Sequence, residues 1–166
     1  MAETQKQYTK RILGYLGSQN ALTILAATPG KLARAIAGVS LARLSKPPAK
    51  GKWSVRQILA HLAEDEMVWG YRIRKILEKN GVAIEGFDQA RWAVTGRYGK
   101  IDPRLSLEMH RALRKANLAL FAGLSRSEWK RYGRHSEFGR VTIEKIARQL
   151  AGHDLNHMLQ MKRILA

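Results

Sequence analysis

TIEKIARQLAGHDLNHMLQMKRI, residues 142–164, decides the fold. Ile143, Ile146, Ala147, Leu150, Met158 and Met161 recur at three- and four-residue steps, the spacing that lines one face of an α-helix. Thr142 stands where an N-cap hydroxyl is wanted. At about 100° per residue, His157 falls near the centre of this apolar stripe and His153 at its edge. The two imidazoles are one turn apart and stack on one helical face, within reach of a single ion.

The rest of the chain repeats the helical pattern. Ser54 caps a long helix that runs to Lys79 and stops at Asn80-Gly81. Its stripe is Val55, Leu59, Leu62, Trp69, Ile73 and Ile76, with His61 at the margin. Asp102-Pro103 opens another helix, with proline at the first helical position, that ends near Gly123. Leu105, Met109, Ala112, Ala116 and Leu120 form its expected inward face. Residues 4–16 and 19–38 read as helical, with a break expected at Thr28-Pro29-Gly30, since proline removes a hydrogen bond from a helix interior.

Ser45–Lys52 is a loop, Asp88 caps a helix to about Tyr98, and Ser125 caps one further turn. Tyr132–Val141 reads as loop or short extended structure. No segment alternates with period two for long enough to predict a sheet. The expectation is an all-α four-helix bundle, one domain over residues 1–166.

Composition narrows the chemistry. The chain has no cysteine, which excludes disulfides, thiolate metal ligands, iron–sulfur clusters and a cysteine nucleophile. No secretory signal or run long enough to span a bilayer is visible, so a cytoplasmic protein without membrane attachment is expected. The formal charge of +17 is uneven: residues 1–60 carry ten bases and one acid, and residues 91–134 eleven bases and three acids. Residues 61–90 sum to −2 and residues 135–166 to +2, so the excess lies outside the histidine segments. The bases occur singly or in pairs without interleaved aromatics, a weak footprint for nucleic acid.

Polar residues on apolar faces mark the candidate site. Two histidines at i and i+4, with a third from a facing helix, would fill three corners of a metal polyhedron and leave a position open. On spacing alone, histidines of an ordinary core or surface are the commoner reading of the same residues. Glu66 lies between Leu62 and Trp69, and Asp154 between Leu150 and Met158, so both acids point inward and need partners. A structural ion pair with an inward arginine such as Arg72 is the favoured reading; orienting a ligand imidazole, or acting as a base beside the metal, is the alternative. Asp65, one turn from His61, would face the ion or solvent. His110 lies off its helix's stripe and is expected at the surface, and His135, in HSEFGR, is placed to cover the site mouth. The four tryptophans, Trp53, Trp69, Trp92 and Trp129, read as anchors of the core and its loops.

GKWSVRQILAHLAEDE (51–66), GYRIRKIL (70–77), FDQARW (87–92) and GRVTIEKIARQLAGHDLNHMLQMKRIL (139–165) together resemble the DinB superfamily, in its YfiT-like branch. The resemblance implies a four-helix bundle of up-down-down-up type. It implies a divalent transition metal, nickel or zinc, held by His61, His153 and His157, and often a homodimer. It further implies a metal-dependent hydrolase, or a transferase or isomerase that uses a low-molecular-weight thiol on a small-molecule substrate. With no cysteine in the chain, that thiol would arrive as a cosubstrate. Two other readings stand beside the enzyme: a binding or stress-response module whose metal is structural, and a charge-driven nucleic-acid binder.

Overall fold

The computed structural model describes residues 3–166. Helix α4 (Val55–Glu78) begins where the Ser54 side chain accepts from the Gln57 backbone and Gln57 answers through its own side chain, a capping box. Helix α8 (Ile143–Leu165) begins where the Thr142 hydroxyl accepts from Lys145 N–H. Helix α6 (Pro103–Ala122) starts at the Asp102 cap with proline at its first position. Helix α2 (Ala21–Ile36) completes the long set. Packing of α4 on α6, α6 on α2, α2 on α8 and α8 on α4 closes a four-helix ring, with α1 (Gln5–Leu16) lying along α8. The short helices are α3 (Leu41–Ser45), α5 (Gln89–Thr95) and α7 (Arg126–Trp129).

Three expectations are corrected. Pro29 does not break α2, which is continuous. Its missing N–H would have bonded the carbonyl of Leu25, and Arg114 Nη1 of α6 donates to that carbonyl instead, at 2.9 Å. A small sheet is present: β1 (Val82–Ile84) pairs parallel with β2 (Tyr132–His135), which pairs antiparallel with β3 (Gly139–Thr142). Its strands are three or four residues long, too short for an alternation to register.

The inward face of α6 is also different. Its buried residues are Pro103, Ser106, His110, Arg114, Asn117 and Phe121, whereas Leu105 is exposed. The expected stripe is displaced by about one residue, roughly 100° of rotation. Its polar side chains face inward because their partners are there. The stripes of α4 and α8 are as expected, save that Met158 is only partly buried.

Two apolar clusters fill the bundle. One takes Trp69, Ile73 and Ile76 of α4 with Ile143, Ile146 and Leu150 of α8. The other takes Val55, Ile58, Leu59 and Leu62 of α4 with Met161 and Ile164 of α8. A buried polar belt lies between them along both helices: His61, Asp65 and Glu66 on α4, and His153, Asp154 and His157 on α8. No helix among the described residues is long and apolar enough to cross a membrane.

Candidate metal centre

His61 projects from α4 to meet His153 and His157 of α8. His61 Nε2 lies 3.0 Å from His153 Nε2, and His157 Nε2 lies 3.1 Å from the same atom. The donor atoms of all three are within 4.8 Å of one another, and all three residues are buried. Two nitrogens that each sit about 2.0–2.1 Å from one ion are about 2.8–3.0 Å apart in an octahedral and about 3.3–3.4 Å apart in a tetrahedral arrangement, and the observed spacings fall within that span.

The far ring nitrogen of His157 shows which way its lone pair points. The Gln160 amide oxygen can only accept, so His157 Nδ1 donates to it, at 3.0 Å, and the Nε2 lone pair is left free. Asp65 Oδ2 stands 3.4 Å from His153 Nδ1, in contact though not aligned for a full hydrogen bond. Trp53 packs on His61 with ring centroids 5.0 Å apart. Burial, and then repulsion from the two neighbouring imidazoles, holds His61 well below the ordinary histidine range. Burial, then Arg114 and His110, lowers His153 to about 4; burial, then His153, lowers His157 to about 3. The result is three neutral imidazoles whose Nε2 atoms converge, a donor set that a divalent cation would complete.

The acids divide into two roles. Asp65 is buried, against His153, and burial followed by the charge of Glu66 raises it to about 7. Glu66 and Asp154 form the structural ion pairs that the sequence favours, but with Arg114 rather than Arg72. Arg114 Nη1 donates to Asp154 Oδ2 at 2.7 Å, and Nη2 to Glu66 Oε1 at 2.7 Å. All three side chains are at most 2% exposed. Asn117 Nδ2 donates to Glu66 Oε2 at 3.1 Å, and its side chain lies over Gly70, where a Cβ would be 2.7 Å from Asn117 Oδ1. Arg114, Asn117 and Gln160 are the residues that sequence reasoning missed. Each is a polar side chain without a motif, and only the spacing of Ser106, His110, Arg114, Asn117 and Phe121 hinted at a second face on α6.

His110 is not at the surface: it is 1% exposed, with neither ring nitrogen bonded within the protein. His135 ends β2, rather than lying in a loop, and lines a cavity that also reaches Asp65 and His153.

A family model for the DinB superfamily matches residues 24–161. The chain belongs to the DinB superfamily. A protein of Oceanobacillus iheyensis named "putative metal-dependent hydrolase" is 30% identical over 108 residues, 65% of this chain and 62% of that protein, just under two thirds of its length. YfiT of Bacillus subtilis, named in the same terms, is 26% identical over 144 residues, 86% of this chain and 81% of YfiT. The solved structure of YfiT, described as a four-helix bundle of unusual topology, matches with a TM-score of 0.78 at 24% identity, covering 98% of this chain and 89% of that one. At that identity the likeness establishes the fold of this DinB-superfamily chain.

Proposed function

We propose that His61, His153 and His157 hold one divalent transition metal ion, nickel or zinc, and that the protein is a metal-dependent enzyme, a hydrolase or a transferase using a low-molecular-weight thiol. The convergence of three Nε2 atoms at 3.0 and 3.1 Å carries this reading. A divalent ion on three neutral ligands keeps its charge and acidifies a bound water or thiol at neutral pH. Within the protein, Gln160 orients the imidazole of His157, and Asp65 stands against that of His153. Trp53 covers His61, and the apolar clusters on either side keep bulk water from the belt. The names of the relatives in Oceanobacillus iheyensis and Bacillus subtilis favour the hydrolase; the absence of cysteine requires any thiol to come from outside.

Elemental analysis after loading with nickel or zinc tests the site. About one equivalent is expected for the wild type, and under about a tenth for His153→Ala, which removes the central ligand. Retention below that tenth in the wild type would overturn the proposal. Protons compete weakly here because His153 and His157 titrate near 4 and 3. Metal retention should therefore be flat from pH 8 to about 5 and fall only below it, not near the 6.5 or so of a free imidazole. The ion-free protein should behave differently. Unfolded histidines take up protons at about 6.5 while the buried ones stay neutral, so stability is full above that pH and declines as pH falls toward 4. Denaturant midpoints across pH 8 to 4 read this directly.

A further inference from the structure

Beside the histidines, a cavity of about 70 Å³ lies between α1, α4, α8 and the loops around β1 and β2. His153 and Asp65 are at one end, and Trp69, Phe87 and Phe138 form apolar walls. Arg72 also lines it. This arginine is 7% exposed, and its guanidinium carbon lies 4.6 Å from the Trp69 ring centroid and 5.5 Å from that of Phe87. Its Nη2 donates to the Glu85 carbonyl; Nε and Nη1 have no acceptor in hydrogen-bond reach and no carboxylate touches the side chain among the described residues, although the charges of Asp65 and Glu137 act on it from farther off. Arg114, the other buried arginine, has both its carboxylates.

His135 adds a second donor. It is 4% exposed, and the Glu137 backbone N–H donates to its Nδ1 at 3.1 Å. A neutral ring that accepts at Nδ1 carries its proton on Nε2, and that N–H is buried without a partner. Burial, then Arg72, keeps the ring neutral by lowering it to about 4. Gln149 Oε1, also in the cavity wall, is a buried acceptor without a donor. The two acids of the cavity are engaged or displaced: Asp65 lies against His153, and Glu137 is exposed. Neither is paired with Arg72.

We propose that Arg72 and His135 form a carboxylate-binding subsite, so that the cavity takes a small organic acid with an apolar body and presents its other end to His153. A planar guanidinium with free donors matches a carboxylate, and a largely buried cation that no carboxylate touches gains from one that binds it directly. The aromatic walls fit the apolar body, and Gln149 would accept from a hydroxyl or N–H on it. The claim that the far end reacts rests on the metal-enzyme reading; the subsite itself uses no metal ligand.

Benzoate, with benzamide as the uncharged analogue, provides the test. Tryptophan fluorescence, to which Trp69 in the wall contributes, and calorimetry would be read on zinc-loaded and on chelated protein. Benzoate is expected to bind saturably in both forms, and benzamide at least about ten-fold more weakly. Arg72→Gln should lose at least about ten-fold in affinity, in line with one charged hydrogen bond. His135→Phe keeps a ring against Trp69, removes the Nε2–H, and should lose about two- to ten-fold; it covers the case in which Arg72→Gln fails to fold. Absence of saturable benzoate binding, equal affinity for benzamide, or zinc-dependent binding indifferent to both substitutions would overturn the subsite. Benzoate binding without metal uptake would overturn the metal reading alone; stoichiometric metal without benzoate binding would overturn the subsite alone.

Discussion

Replacing Arg114 by methionine is expected to lower the unfolding free energy by about 3–5 kcal/mol, because two carboxylates then stay buried without their cation. For a chain of this size that corresponds to a fall in Tm of roughly 6–20 °C. Glu66 and Asp154 are each 1% exposed, so neither can turn to water without opening the bundle. The Leu25 carbonyl that Pro29 leaves unbonded loses its donor at the same time. Most of the loss belongs to the orphaned charges, not to the strength of the pairs, since desolvation offsets much of what a buried pair gains. A triple variant, Arg114→Met with Glu66→Gln and Asp154→Asn, should therefore recover a large part of it. Urea denaturation of both proteins decides the matter; a loss below about 1 kcal/mol in the single variant would show the network to be dispensable.

The second large effect is at Gly152, directly before His153. A Cβ there would sit 2.7 Å from the carbonyl carbon of Ile12 and closer still to its oxygen. The obstacle is the backbone of α1, which no rotamer change relieves. Glycine to alanine inside a helix ordinarily stabilises by about 0.5–1 kcal/mol. At Gly152 the clash should reverse that sign and cost about 2–3 kcal/mol, because α1 must back away from α8. Gly14, on an exposed position of α1 with nothing within 4 Å of its ideal Cβ, is the control: Gly14→Ala should stabilise. If Gly152→Ala proves as stable as the wild type, α1 does not lie as close to α8 as described.

What could be read in advance followed the distribution of apolar side chains. On α4 and α8 the stripe is apolar at both ends and interrupted midway by His61, Glu66, His153 and His157, so both the inward face and the oddity on it were visible. On α6 the buried face is Ser106, His110, Arg114 and Asn117, while Leu105 is at the surface. Hydropathy points the wrong way there, because what turns the helix inward is charge on Glu66 and Asp154 of two other helices. Pro29 misled for the same reason: the donor that rescues Leu25 is 89 residues away. Asp65 was legible as a neighbour of His61, but its place against His153 depends on how α4 and α8 cross.

The polar inner face of α6 also bears on how fast the protein folds and comes apart. Docking this helix buries Phe121 and the leucines flanking it, but its central turns, Ser106 to Asn117, gain little until Arg114 reaches both carboxylates and Asn117 settles over Gly70. Such contacts reward only a nearly complete structure and should be weak in the transition state for folding. Substitutions at Arg114 would then accelerate unfolding and leave the folding rate almost unchanged, a pattern that the two arms of a stopped-flow chevron separate. On this account the ion triad acts chiefly as a latch on the lifetime of the native state.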